Sequence, residues 1–191
     1  MNKKTLALTE EQYRKIITTV KTGFEYAGKQ FKPNRRLAMV LTLEANLGLR
    51  VSDVLNLCLN SFVLDGDRYR LNIEEQKTGK SREFTVPYEI YNYIKLYALE
   101  NSIKPTAKLF DITDRAIQKQ LKIVVDYLGL EGISTHSFRK YFATSIYVDN
   151  NYNIQLVSKL LQHSSTAITQ KYIGIQQKEI EDALQKHIKI V

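Results

Sequence analysis

Apolar side chains recur along the first third of the chain at the three-and-four spacing of helices. Tyr13, Ile16, Ile17 and Val20 form one stripe. It is opened by Thr9-Glu10-Glu11-Gln12, in which Thr9 caps the helix and Gln12 reaches back to close a capping box. Gly23 to Pro33, punctuated by Gly28 and Pro33, reads as a connection. Asn34 to Leu47 is so rich in apolar residues (Leu37, Ala38, Val40, Leu41, Leu43) that it predicts a largely buried helix, stopped by Gly48 in a left-handed cap. Ser52 is then expected to cap a short helix through Leu57.

The period changes in the middle of the chain. Tyr69, Leu71 and Ile73 alternate with Arg70 and Asn72, the two-residue repeat of a half-buried strand. Asp65-Gly66-Asp67 supplies a hairpin turn after a strand at Ser61 to Leu64, and Glu83 to Val86 forms a third strand, entered through Lys77-Thr78-Gly79-Lys80 and ended by Pro87. Helical spacing then returns at Ile90–Leu99, Asp114–Leu128, Ser137–Val148, Ile154–Leu161 and Ile175–Ile188. The pattern predicts a mainly α protein with a small antiparallel β-sheet, an α+β fold in one domain spanning residues 1–191.

Composition narrows the class. With 191 residues, 43% hydrophobic and 25% charged, the chain can bury a sizeable core, and its single cysteine, Cys58, excludes a disulfide scaffold. No apolar run approaches the roughly 20 residues of a membrane span, and no signal-peptide core follows Met1, so a cytoplasmic protein without membrane contact is expected. The net charge of +8 points to a polyanionic partner. Three histidines and one cysteine, without paired carboxylates, give no metal-site signature, and no cofactor is expected.

Four stretches carry candidate chemistry: Gly48-Leu49-Arg50-Val51-Ser52-Asp53, Lys77-Thr78-Gly79-Lys80, Thr135-His136-Ser137-Phe138-Arg139, and Leu160 to Tyr172 with His163 inside it. Taken singly, each has an ordinary structural reading: a helix-terminus arginine, a solvated turn lysine, a core histidine, a packing tyrosine. Their combination resembles the tyrosine recombinase (phage integrase) family from about Ala38 to Tyr172. Arg50 follows Gly48-Leu49, with the acidic Asp53 three places on. Lys77 opens a Lys-Thr-Gly turn, His136 and Arg139 form a His-x-x-Arg box, and Tyr172 lies nine residues after His163. Two departures are Gln162, where the family usually has glycine, and Phe138, where leucine is commoner.

The resemblance implies that Tyr172 attacks a DNA phosphodiester to give a 3′-phosphotyrosine and a free 5′-hydroxyl, without metal or ATP. Arg50 and Arg139 would clamp the phosphate, Lys77 would protonate the leaving 5′-oxygen, and His136 and His163 would bind phosphate or carry the tyrosine proton. Asp53 would orient a neighbouring basic group. A DNA-binding protein that does not cut, and a type IB topoisomerase-like relaxation of supercoils, are the alternatives. Many family members carry a helical DNA-binding domain of about a hundred residues before this region, where residues 1–35 here form a helical extension. After Tyr172, residues 175–191 place Ile180, Ala183, Leu184, Ile188 and Val191 on one helical stripe. That stripe could pack back on its own domain, and the resemblance implies the alternative that it docks on a neighbouring protomer, with a monomer or weak dimer free in solution and a tetramer on paired double-stranded DNA sites.

Overall fold

The computed structural model describes residues 5–173, together with 184, 185 and 187. Helix α1 (Glu10–Thr22) starts at the expected capping box: the Gln12 N–H donates to Thr9 Oγ1 at 3.1 Å and the Thr9 N–H donates to Gln12 Oε1 at 3.0 Å. Its apolar stripe puts Ile16, Ile17 and Val20 into the core. The stretch read as a connection is instead a two-stranded hairpin, β1 (Phe24–Tyr26) and β2 (Lys29–Phe31), in antiparallel register with Phe24 opposite Phe31. Ala27 and Gly28 both take positive φ, which matches the twist of a tight hairpin. Phe24 stacks on Phe31 and on Tyr127, so aromatic packing compensates for strands too short to show an alternating pattern.

Asn34 caps α2 (Arg35–Leu47), which is buried along most of its length as the apolar density requires. Gly48 ends it in the left-handed conformation, φ 58°. Arg50 then leaves extended, and helix α3 (Val51–Leu55) begins one residue before Ser52. Arg50, not Ser52, therefore occupies the cap position. The backbone reversal at Gly48 decides where the helix restarts, and the Arg50 carbonyl takes the first helical bonds from Asp53 and Val54.

A single 3₁₀ turn, Leu59–Ser61, leads into the sheet β3 (Phe62–Asp65), β4 (Arg68–Glu74) and β5 (Ser81–Val86), antiparallel in that order. Asp65 pairs with Arg68 around Gly66-Asp67, as the turn residues predict. Leu71 and Val86 point into the core, and so does Arg82. Helices α4 (Tyr88–Glu100), α5 (Asp114–Tyr127), α6 (Thr135–Asp149) and α7 (Ile154–Leu161) follow near their expected bounds. An unforeseen helix, α8 (Thr166–Ile173), carries Tyr172. The helix expected over Ile175–Ile188 lies outside the described residues, apart from Leu184, Gln185 and His187.

The main core joins α1 through α6 and the sheet, with α2 packed along α6. A smaller cluster of Ala143, Tyr147, Val157, Leu161 and Ile173 ties α6, α7 and α8 together, and Tyr172 packs against it. Among the described residues no helix is long and apolar enough to cross a membrane.

Candidate active site

The site forms where the C-terminal ends of α2 and α7 converge on α6. Such ends leave carbonyls without helical partners and carry partial negative charge, which favours a cation. Arg139, on α6 and 1% exposed, answers both: Nη1 donates to the Gly48 carbonyl at 2.6 Å and Nη2 to the Leu161 carbonyl at 3.2 Å. Burial and the neighbouring Arg82 guanidinium lower its pKa to about 10, which leaves it charged at neutral pH. Arg82 Nη2 shares the same helix end, donating to the carbonyls of Leu47 and Gly48.

Arg50 lies beside them, its side chain 19% exposed, and Nη1 donates to Glu75 Oε2 at 2.6 Å. Asp53 is farther, with Oδ2 3.9 Å from Arg50 Nη1, while Oδ1 accepts the Gln76 N–H at 2.9 Å. Asp53 thus fastens the backbone just before Lys77 as much as it faces Arg50. Lys77 is exposed on the β4–β5 turn, and among the described residues its ammonium has no ion pair. It adds to the positive field that, after desolvation and the charges of Arg139, Lys140 and Arg50, lowers the His136 pKa.

Tyr172 occupies the middle of this arrangement. Its ring meets His136 edge to face at 5.7 Å between centroids and His163 at 5.3 Å, and Lys140 Nζ lies 5.3 Å over its face. The hydroxyl is buried, with no hydrogen bond of standard geometry among the described residues. Burial pushes it up to about 12 against the pull of Arg139. His163 Nδ1 is 2.9 Å from Thr169 Oγ1, whose own hydroxyl faces the Ser165 carbonyl at 3.4 Å. Burial, then Arg139 and Arg50, depress its imidazole to about 4, so it is neutral at pH 7.

The backbone explains one unusual residue. Gln162 is the left-handed cap of α7, φ 54°, a conformation glycine adopts without cost. Its Nε2 donates to the Ser81 carbonyl at 2.7 Å, and the turn lets the His163 N–H bond back to Ser158. The six candidate residues and Asp53 therefore gather in one region. The sequence reading missed Glu75, 1% exposed, and Arg82, 2% exposed, which form a buried ion pair at 2.9 Å. The expected strand began at Glu83, one residue too late to include Arg82; its two-residue spacing from Phe84 and Val86 was the available signal. It also missed Glu44 on α2, whose fully buried carboxyl is pushed well above the usual range by burial.

The profile of the phage integrase family matches residues 7–179. The chain belongs to the phage integrase family. Among curated relatives, tyrosine recombinase XerA of Pyrococcus furiosus is 27% identical over 188 residues, covering 94% of this chain and 61% of the relative. In structure, the XerH site-specific recombinase bound to palindromic difH substrate superposes with a TM-score of 0.72 at 23% identity, over 96% of this chain and 53% of that one. The catalytic domain of bacteriophage HP1 integrase gives 0.65 at 19% identity, over 96% of both chains. The fold of this family member is thus that of a tyrosine recombinase catalytic domain, and the chain spans about half to three-fifths of the XerA and XerH lengths.

Proposed function

We propose that this chain cuts and rejoins double-stranded DNA at specific sites through a 3′-phosphotyrosine at Tyr172. The observation that carries the reading is the placement of a buried tyrosine hydroxyl against Arg139, between two histidine rings, with Arg50 and Lys77 facing the same region. Three guanidiniums (Arg50, Arg82, Arg139) against two carboxylates (Glu75, Asp53) leave an excess positive charge that an anionic phosphodiester satisfies.

The steps follow from these side chains. Arg50 and Arg139 hold the non-bridging oxygens with donors already in place, which stabilises the charge developing in the pentavalent transition state. The Tyr172 proton is tightly held, so attack needs a base. Neutral His163 suits that role: with the Thr169 hydroxyl donating to Ser165, Nδ1–H donates to Thr169 and Nε2 keeps its lone pair. The Tyr172 Oη–P bond forms as the P–O5′ bond breaks, and Lys77 delivers a proton to the leaving 5′-oxygen. His136, beside Tyr172, contributes a further donor to the phosphate. Rejoining runs the same steps backwards with the 5′-hydroxyl of a second strand, and the stored ester makes an external energy source unnecessary. Assembly as a tetramer on paired sites, with residues 175–191 docking on a neighbour, belongs to the same reading.

The test uses a library of random-sequence duplexes, each carrying a nick from which a short cleaved fragment diffuses away. Wild-type protein is expected to capture a preferred sequence covalently, with the DNA mapped to Tyr172. Tyr172→Phe is expected to fold and bind DNA but to form no adduct. An adduct in that variant, or none with the wild type, overturns the reading.

A further inference from the structure

The Glu75 carboxylate takes no part in these steps, yet separate parts of the site converge on it. Oε2 accepts from Arg50 Nη1 at 2.6 Å and from Thr78 Oγ1 at 2.9 Å, and Oε1 accepts from Arg82 Nη1 at 2.9 Å. The Glu75 backbone closes the same turn: its N–H donates to the Lys80 carbonyl at 2.9 Å and its carbonyl accepts from Gly79 at 2.8 Å. One buried side chain therefore grips a guanidinium at one oxygen and, at the same oxygen, the residue that directly follows Lys77.

We propose that Glu75 is a positioning residue that locks the Lys77 turn to Arg50, so that proton donor and phosphate clamp address one phosphodiester together. The inference rests on the roles given above to Arg50 and Lys77. Lys77 is exposed and sits on a turn whose residues 76–80 are all exposed. Its fastenings to the rest of the site are the Glu75 carboxylate and the Asp53 bond to the Gln76 N–H. Arg50 needs an anchor that leaves donors free. A guanidinium has five N–H groups, and the bond to Glu75 uses Nη1, leaving Nε and Nη2 for phosphate. Burial alone raises the pKa of the Glu75 carboxyl, but the hydrogen bonds from Arg50, Arg82 and Thr78 outweigh it and hold the value at about 2. The anchor is charged at every pH at which DNA is intact.

A sulfur-for-oxygen substitution separates positioning from scaffolding. A duplex whose scissile phosphate carries sulfur at the bridging 5′ position releases a thiolate, the anion of a group with pKa ~8.5, and needs no proton donor. The variants are Lys77→Ala, Thr78→Val, and the pair Glu75→Gln with Arg82→Met, which removes the buried cation together with its partner so that the fold is kept. Single-turnover cleavage is measured on the captured sequence with oxygen and with sulfur at that position. Lys77→Ala should fall about 100-fold on the oxygen duplex and recover on the sulfur duplex. The Glu75/Arg82 pair should fall by a similar factor and regain at least tenfold of it with sulfur, the remainder reporting Arg50. Adding Lys77→Ala to the pair should cost little more on the oxygen duplex. Thr78→Val, which removes one hydroxyl and folds normally, should show the same pattern in smaller measure.

Equal losses on both duplexes, or no loss, in the pair and in Thr78→Val overturn the positioning role. If the pair does not fold, Thr78→Val alone decides. Wild-type attachment to the sulfur duplex is the control: its absence overturns the proposed function, whereas its presence with equal losses in the variants overturns only the role of Glu75.

Discussion

Arg139 lies 1% exposed on α6 with its guanidinium bonded to the carbonyls that end α2 and α7, whereas Lys77 lies on an exposed turn with its ammonium free of ion pairs among the described residues. Both are cations directed at one site. The first is held by main chain that cannot move without disturbing the core. The second hangs from a turn fastened through two carboxylates, Glu75 and Asp53. The difference matches what each group has to do. A clamp stabilises a transition state best when its donors need no reorganisation. A proton donor has only to reach one leaving oxygen late in the reaction, and a four-carbon stem with three rotatable donors tolerates the motion.

The sharpest way to break this comparison is to exchange fork for point charge. Arg139→Lys keeps the cation but cannot span the Gly48 and Leu161 carbonyls, so adduct formation should fall ~10²–10³-fold. Thermal stability should fall with it, because two helix ends lose a partner. Lost cleavage with an unchanged melting temperature would show that the carbonyl anchoring contributes nothing to the fold. Lys77→Ala should lose cleavage without losing stability. Its cleavage should fall about 100-fold, while its melting temperature stays within ~2 °C of wild type, as for an exposed substitution. A large drop in stability would mean that the turn lysine is structural.

Gly48→Ala attacks the rigid half without touching a charge. An added Cβ would meet the Phe142 ring at 2.4 Å in a residue held at φ +58°. The combined clash and strain should cost about 3 kcal/mol and lower the melting temperature roughly 6–12 °C. Cleavage should fall too, since the Gly48 carbonyl holds Arg139. Gly66, at φ +63° in the β3–β4 turn with nothing within 4 Å of a built Cβ, is the control. Gly66→Ala should cost about 1 kcal/mol, the strain alone, and should leave cleavage intact. Equal effects at the two positions would remove Phe142 from the argument.

The two halves were also unequally legible in the sequence. The helices α1 and α5 announce themselves because each buries one face of a periodic stripe behind a capping residue, and α2 because its apolar density leaves it buried on nearly every side. The hairpin at Phe24–Phe31 does not, because three-residue strands carry too little alternation and its stability comes from stacking on Tyr127, far away in sequence. The residues of the site were readable as types in a known order, with Arg50, His136, Arg139 and Tyr172 now close in space. Their anchors were not read. Glu75 looks like a surface charge in a polar turn and Arg82 like one ahead of the strand expected from Glu83 to Val86, and it is their burial, beside β4 and on β5, that shows both to point inward. Tyr172 was placed by motif, while helix α8, which carries it, buries only Thr169 and Ile173 and so shows no apolar stripe to read.

Gln162 joins the two halves and gives the smallest expected effect. It ends α7 in the rigid half, and its side chain bonds to the Ser81 carbonyl, where β5 leaves the Lys77 turn. As a left-handed non-glycine residue it carries about 1 kcal/mol of strain, which one hydrogen bond of about 1 kcal/mol offsets. Gln162→Gly removes both and should leave stability within about 0.5 kcal/mol of wild type, with the greater freedom of glycine in the unfolded chain pulling it slightly down. Gln162→Ala removes the hydrogen bond but keeps the strain, so it should be the less stable variant, about 1 kcal/mol below wild type. The order, alanine below glycine, is the informative result in paired thermal melts. If alanine matches or exceeds glycine, the left-handed turn is not strained. Cleavage should be close to wild type in both variants, because the turn itself, and with it the His163 N–H bond to Ser158, survives. A cleavage defect confined to the oxygen-bridged substrate would instead place Gln162, with Glu75, among the residues that set the Lys77 turn.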